Sequence, residues 1–274
     1  MTADTDTVLR LHRHDEVAVL TLCNTARLNP LGIGLQQQLR ARLAELAADA
    51  GVRALVLTGE GKGFCVGADL QAMGGVPAGD GRTLGAHTAD TMHALSNRLI
   101  LDLQALPMPV VCAVNGAAAG AGAGLALAGD FTLMARSAYF FLPFLPRLGI
   151  VPDLGTTWFI ERRLGRARAM GLALLGERLS AQQALDWGLV WGCADDAALQ
   201  DEALALARRL ARLPAHAAME ARRALDAAAT GSLADQLHYE AERQRELIDG
   251  AAFAEGVRAF VQKREPVFPP RSAG

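Results

Sequence analysis

The chain has 274 residues, 51% of them hydrophobic, and 27 basic against 29 acidic side chains leave a formal net charge of −2. That length and apolar content suit one large core, or one core with a helical appendage. Charge is balanced along the chain with no basic block, which excludes an electrostatic nucleic-acid binder. No apolar run reaches the roughly 18 to 20 residues needed to span a bilayer. The opening MTADTDTVLR is polar and lacks an apolar signal core, so the expectation is a cytoplasmic protein without membrane association.

Val8 to His12 and Glu16 to Leu22 alternate apolar and polar residues around His14-Asp15, as a β-hairpin does. Leu35, Leu39, Leu43 and Leu46 recur at helical spacing. Ala54 to Thr58 is a short continuous apolar run, the pattern of a strand covered on both faces. A Gly-rich loop, Gly59 to Gly67, follows it. Met73 to Gly85 is dense in glycine and contains Pro77, so it reads as a mobile loop. A helix is expected from about Thr88 to Ala105, stopped by Pro107 and Pro109, and then a buried strand from Val110 to Val114. Asn115-Gly116 turns the chain into a small-residue helix, Gly120 to Ala128, before a strand at Phe131 to Met134. Strands alternating with helices imply a largely parallel sheet. The second half is helical. Ser180 with Gln183 forms a capping-box start and Gly188 ends that helix. Further helices are expected over Asp195–Leu213, Ala215–Ala229 and Leu233–Ile248, with a Pro-rich tail lying extended from Glu265. The cysteines, Cys23, Cys65, Cys112 and Cys193, are far apart in sequence; they read as buried or half-buried thiols, without zinc or redox spacing.

Two loops carry chemistry. Thr58-Gly-Glu-Gly-Lys-Gly-Phe-Cys-Val-Gly-Ala-Asp69 follows a strand, and Asn115-Gly-Ala-Ala-Ala-Gly-Ala-Gly-Ala-Gly124 follows another and opens a helix. Glycine lets backbone approach a ligand, and a helix N-terminus adds positive potential. Two such loops on adjacent strands can aim two backbone N–H groups at one oxygen, an oxyanion hole for a thioester enolate. Each loop alone also fits a plain structural turn or a phosphate site. Neither has the Gly-Lys-Ser/Thr ending of a nucleotide loop.

These segments resemble the crotonase (enoyl-CoA hydratase/isomerase) superfamily. Leu55 to Gly59 with Phe64 to Leu70 is similar to its first signature, and Pro109 to Gly116 with the following Ala-Gly repeats and Asp130 to its second. Leu179 to Val190 and Glu255 to Arg264 resemble its later helices. The resemblance implies an α/β fold, a spiral of ββα units over residues 1–195, and a helical trimerisation region over 196–274, giving a homotrimer or a hexamer. It implies an acyl-CoA substrate, with coenzyme A as the thioester carrier and neither a tightly bound cofactor nor a metal. It places the oxyanion donors on the N–H groups of Ala68 and Ala121, and the adenine near the backbone of Phe64, Cys65 and Val66. Arg27 is a candidate coenzyme contact or a plain surface arginine, and Phe260 and Lys263 are candidates from a neighbouring subunit.

Hydratases resembling this chain use two glutamates, which would fall at Gly124 and near Phe144. No acid occurs from Gly116 to Gly129 or from Ala138 to Gly149. One acid remains: Asp153, after Pro152 and before a helix whose N-terminus would favour its carboxylate form. It reads either as an N-cap or as a single general base, and one base suffices for a double-bond shift through an enolate. The stretch Leu148 to Trp158, with Gly165 to Gly176 and Trp187 to Trp191, is similar to the subgroup of phenylacetate-degradation isomerases, which convert ring-epoxidised phenylacetyl-CoA to its oxepin form and also shift enoyl-CoA double bonds. A 3-enoyl to 2-enoyl-CoA isomerase is the alternative; a thioesterase or a non-catalytic scaffold stands further off. Asp69 reads as a cap of the next helix and Asp130 as a turn anchor. His87 and His93 face either substrate or solvent. Phe140, Phe141, Phe144 and Trp158 are core residues or substrate walls, with Phe144 kept among the candidate binding residues.

Overall fold

The computed structural model describes residues 8–69 and 81–271. The expected hairpin is β1 (Leu9–His14) and β2 (Val17–Leu22), antiparallel, with Asp15 at φ 55 in the turn. Helix α1 (Ile33–Ala48) buries Leu35, Leu39, Leu43 and Leu46, and Gln36 with them. Strand β3 (Ala54–Gly59) is buried at every position, as its unbroken apolar run requires. The Gly-rich loop after it contains a short strand, β4 (Gly63–Cys65). Helix α2 (Leu84–Thr91) runs through one wide π-type turn, Met92–Ser96, into α3 (Asn97–Gln104). This helix starts four residues earlier than expected, because the Thr83 hydroxyl accepts from the Ala86 N–H at 3.2 Å and caps it there. Gly85 therefore belongs to a helix and not to the expected loop, of which residues 73–80 lie outside the described residues.

Strands β5 (Val110–Val114) and β6 (Ala117–Ala119) lead into α4 (Ala121–Leu127). Strands β7 (Phe131–Ala135) and β8 (Tyr139–Phe141) lead, through a second π-type turn at Phe144–Leu148, into α5 (Thr156–Leu175). The chain continues through β9 (Arg178–Ser180), α6 (Ala181–Asp186) and β10 (Gly192–Ala194). Four helices follow: α7 (Leu199–Ala211), α8 (Ala215–Ala228), α9 (Leu233–Ile248) and α10 (Ala251–Gln262). Helix α7 begins later than the sequence suggests. Asp195 is bound to Arg136 at 2.8 Å and Asp196 accepts from the Ser137 N–H at 2.9 Å, so both acids staple the β7–β8 link instead of extending the helix.

The strands form two sheets in the orders β1-β2-β3-β5-β7-β10 and β4-β6-β8-β9. The pairs β3/β4, β5/β6 and β7/β8 each send one strand to each sheet, and α4 and α5 follow the last two. This is the expected spiral of ββα units. Parallel pairing runs from β2 through β10, with antiparallel pairs only at the edges β1/β2 and β8/β9. Helix α7 packs on β3 and β5 through Leu199, Ala203 and Ala207, so it completes the core. Asp130 anchors its turn as expected, accepting from the Val110 N–H at 2.7 Å, and it also holds Arg222 of α8 through two bonds of 2.6 and 2.7 Å.

Candidate active site

The two glycine loops meet. Leu31 N–H donates to the Gly67 carbonyl at 2.7 Å, and Gly120 N–H donates to the Phe141 carbonyl at 2.9 Å. A Cβ on Gly67 would stand 2.8 Å from both the Ala119 carbonyl oxygen and the Ala121 nitrogen, too close for any side chain. Gly67 and Gly120 have φ of 82° and 52°, the left-handed region that glycine enters freely. Each glycine therefore turns the chain just before Ala68 or Ala121. Ala121 is the first residue of α4, where a helix N–H has no intrahelical acceptor. Both residues line one cavity of about 250 Å³, together with Asp153.

Two asparagines fix the first loop: Asn29, which carries no sequence signal, and Asn115, which the sequence marks only as a turn. Asn29 is fully buried, and its amide donates to the Gly63 carbonyl at 2.8 Å. The Asn115 amide donates to the Gly61 carbonyl at 2.9 Å, while its Oδ1 accepts from the Gly59 N–H at 3.1 Å. Asparagine suits this work because one side chain both donates and accepts.

Asp153 stands on the far wall. Its side chain does not cap α5: the N-cap position is Gly155, and the Thr156 N–H donates to the Asp153 main-chain carbonyl at 2.9 Å. Its Oδ1 is buried and has no hydrogen-bond partner. Burial pushes the carboxyl up from the usual carboxylate range to about 6, against a weaker opposing pull from its own backbone N–H. The helix N-terminus was expected to favour the ionised form; loss of water outweighs it here. A carboxyl poised near neutrality in a cavity is what a general base or acid needs.

The remaining wall comes from segments in which the sequence marks only His87 as a residue that could face substrate. Leu31 to Gln36 supply one side, and Leu84, His87, Thr88, Thr91, Met92 and Ser96 the other. Gln36 donates to the Leu31 carbonyl at 2.9 Å, while its Oε1 is buried and unpartnered. His87 lines the cavity and His93 is exposed to solvent on the π-type turn.

The other candidates separate. Asp69 lies at the cavity and binds Arg27 through two bonds of 2.6 and 2.7 Å, so Arg27 is held at the rim and is not a loose surface arginine. The helix that Asp69 was expected to cap lies outside the described residues. Phe64 and Cys65 are buried in β4, and burial raises the Cys65 thiol to about 12, so only their backbone can meet a ligand. Val66 is half-buried. Phe144 does not line the cavity. Its ring is buried in the core, 3.9 Å from where a Gly120 Cβ would be, and props the second loop from behind. Trp158 is 45% exposed and carries Arg162 stacked over its ring at 4.0 Å. Phe260 is 85% exposed and Lys263 ends α10 at φ 53, far along the chain from these loops.

Gly124 decides how many carboxylates fit. A Cβ there would stand 2.5 Å from the Leu154 carbonyl oxygen and 2.9 Å from the Thr156 hydroxyl. The turn that carries Asp153 occupies the space a larger residue at 124 would need. A glutamate cannot sit there while that turn stays in place.

The model of the enoyl-CoA hydratase/isomerase family matches residues 12–271. The chain belongs to this family. It is 45% identical over 257 residues to an Escherichia coli K12 protein named 1,2-epoxyphenylacetyl-CoA isomerase, covering 94% of this chain and 96% of that one. It is 40% identical over 260 residues to a Rhodobacter capsulatus protein named "Probable enoyl-CoA hydratase", covering 95% and 97%. Among solved structures, an enoyl-CoA hydratase from Polaromonas sp. JS666 superposes with a TM-score of 0.88 at 31% identity, covering 95% of this chain and 99% of that one. An enoyl-CoA hydratase from Bacillus anthracis superposes with a TM-score of 0.87 at 30% identity, covering 95% and 98%.

Proposed function

We propose that this family member is an acyl-CoA isomerase, and that its substrate is a ring-epoxidised phenylacetyl-CoA. The observation that carries the reading is one carboxylate, Asp153, with a buried and unpartnered Oδ1, sharing a cavity with Ala68 and Ala121. The cavity's other carboxylate, Asp69, is engaged with Arg27, and Gly124 is sterically shut to a further acid. In this reading the N–H groups of Ala68 and Ala121 hold the thioester oxygen. For the ring epoxide, the carbon–carbon bond shared by the epoxide and the six-membered ring breaks as the ring double bonds rearrange, leaving a seven-membered oxepin. Asp153 takes a proton from C2, the electron pair moves onto the thioester oxygen as an enolate, and the proton returns at a ring carbon of the conjugated system. Nothing is added or lost, so no activated water is needed. Hydration would need a second carboxylate to manage water, and the hydratase names among the relatives do not supply one.

The acyl choice rests on the name of the Escherichia coli relative and on a cavity of about 250 Å³, which suits an acyl group and not the coenzyme. Coenzyme A would run outward past the backbone of Phe64 to Val66 and the Arg27–Asp69 pair. Phe260 and Lys263 are assigned to a neighbouring copy in a trimer or hexamer. A cytoplasmic location fits the four unpaired thiols, which a reducing compartment maintains.

An acyl-CoA panel tests the reading. The ring epoxide should turn over fastest, straight-chain 3-enoyl-CoA more slowly, and hydration of crotonyl-CoA should be negligible. A preference for 3-enoyl-CoA moves the assignment to the general enoyl isomerase. Crotonyl-CoA hydration at a rate comparable to the best isomerisation overturns it.

A further inference from the structure

The turn that presents Asp153 is unusual. It is closed by the Thr156 N–H on the Asp153 carbonyl at 2.9 Å, with Leu154 at φ 47 and Gly155 at φ 74. A leucine in the left-handed region is disfavoured, because its Cβ crowds the following carbonyl oxygen. Such strain persists only where the surroundings enforce it. Here the Leu154 side chain is 5% exposed and lines the acyl cavity. Its carbonyl oxygen is pressed against α4 at Gly124, where an added Cβ would come within 2.5 Å. That obstruction is backbone, so no change of rotamer relieves it.

We infer that Gly124 is a positioning residue: the room left by its missing side chain seats the Leu154–Thr156 backbone and so sets where the Asp153 carboxylate stands in the cavity. The inference deepens the proposed function and rests on Asp153 being the base. It also gives Gly124 a part in specificity. At that position the fold has room for a longer side chain or for the Asp153 turn, and the two exclude each other. Replacing Gly124 by glutamate should therefore disable the isomerase without creating a hydratase.

The charged surroundings make the test clean. Helix α4 has no titratable residue. Among the described residues, the other titratable groups lining the cavity are Asp69, paired with Arg27, and His87. Arg147 and Glu161, the nearest charged residues in sequence, are both exposed. Burial, and no neighbouring charge, raises the Asp153 carboxyl. Gly124→Ala should lift the turn, admit water to the carboxylate and move the acidic limb of turnover below its wild-type position. Turnover should fall by roughly tenfold or more, as for a misplaced general base, with acyl-CoA affinity nearly unchanged.

A double-mutant cycle separates positioning from general damage. In an Asp153→Asn background, Gly124→Ala should alter the residual turnover by less than about twofold, since coupled residues are not additive. Additive losses, an unmoved acidic limb, or wild-type activity in Gly124→Ala overturns the inference. If Gly124→Ala does not fold, Leu154→Gly loosens the same seat from the other side and enters the same cycle, where the same lack of additivity with Asp153→Asn is expected. Because Leu154 lines the cavity, turnover at saturating substrate is its readout and affinity is not. Should Asp153→Asn itself keep full turnover, the isomerase reading falls; should it be inactive while the cycle is additive, only the role of Gly124 falls.

Discussion

Helices α4 and α9 follow opposite rules. All seven residues of α4 are buried, and none is larger than leucine. None of the 16 residues of α9 is buried, and Leu233 and Leu237 face outward at 75% and 57% exposure. The next helix, α10, continues the exposed apolar face with Phe253, Val257 and Phe260. The difference separates two tasks. The site is made of interior backbone that must approach closely, so its helix carries almost no side chain. Among the described residues, the C-terminal helices α9 and α10 carry apolar side chains left exposed in one chain, which supports the proposed trimer contact.

The largest effect expected on the site side is from Asp153→Asn. Removing the proposed base should lower turnover by roughly 10² to 10⁴ while acyl-CoA binding stays within about tenfold. Wild-type turnover should itself fall as pH drops through about 6, where the carboxyl takes up its proton. Retention of more than about a tenth of the activity would rule out this role. Next in size is Ala68→Pro, which deletes one N–H from the proposed oxyanion pair and should cost about 10² in turnover. Normal folding by circular dichroism must accompany the loss, and an unchanged rate would remove Ala68 from the pair.

Asp153 should also cost stability. Its carboxyl is raised on folding, so the native state binds the proton more tightly than the unfolded chain does, and stability falls as pH rises from about 4 to about 6. Asp153→Asn should then be more stable than wild type at pH 7.5 by on the order of 2 kcal/mol, with the gain fading below pH ~4. Urea titrations at the two pH values check the sign, and a less stable variant at pH 7.5 would contradict it. The smallest effect on the site should come from the other surface. Val257→Asp should lower the assembled mass in light scattering while leaving the secondary structure of the protomer intact. An unchanged mass would mean that this face of α10 is not the contact.

Much of this was legible in the chain. The apolar run 54–58, the leucines of α1 and the Ser180–Gln183 capping box each gave their element because a local pattern had one stable use. The family resemblance gave Ala68 and Ala121, the count of acids left Asp153, and the cavity gathers all three. Less legible were the cavity walls from α1 and α2. A residue such as Gln36 sits among leucines on a buried helix face, and periodicity alone does not tell core from site. The expected helix-dipole effect on Asp153 also lost to desolvation, whose size depends on everything packed around the carboxyl.

By itself the sequence determined the family, the order of the longer strands and helices, and the absence of acids at positions 116–129 and 138–149, because these are properties of residue type and spacing. The three-residue strands β4, β6, β8, β9 and β10 are too short to leave a pattern in it. Only the tertiary structure decided that Gly67 lies against the Ala121 nitrogen, that Asp69 is engaged with Arg27, and that Gly124 and Leu154 compete for one place. Those facts are distances between segments as much as 54 residues apart, from Gly67 to Ala121, and close packing fixes such distances where no local pattern can.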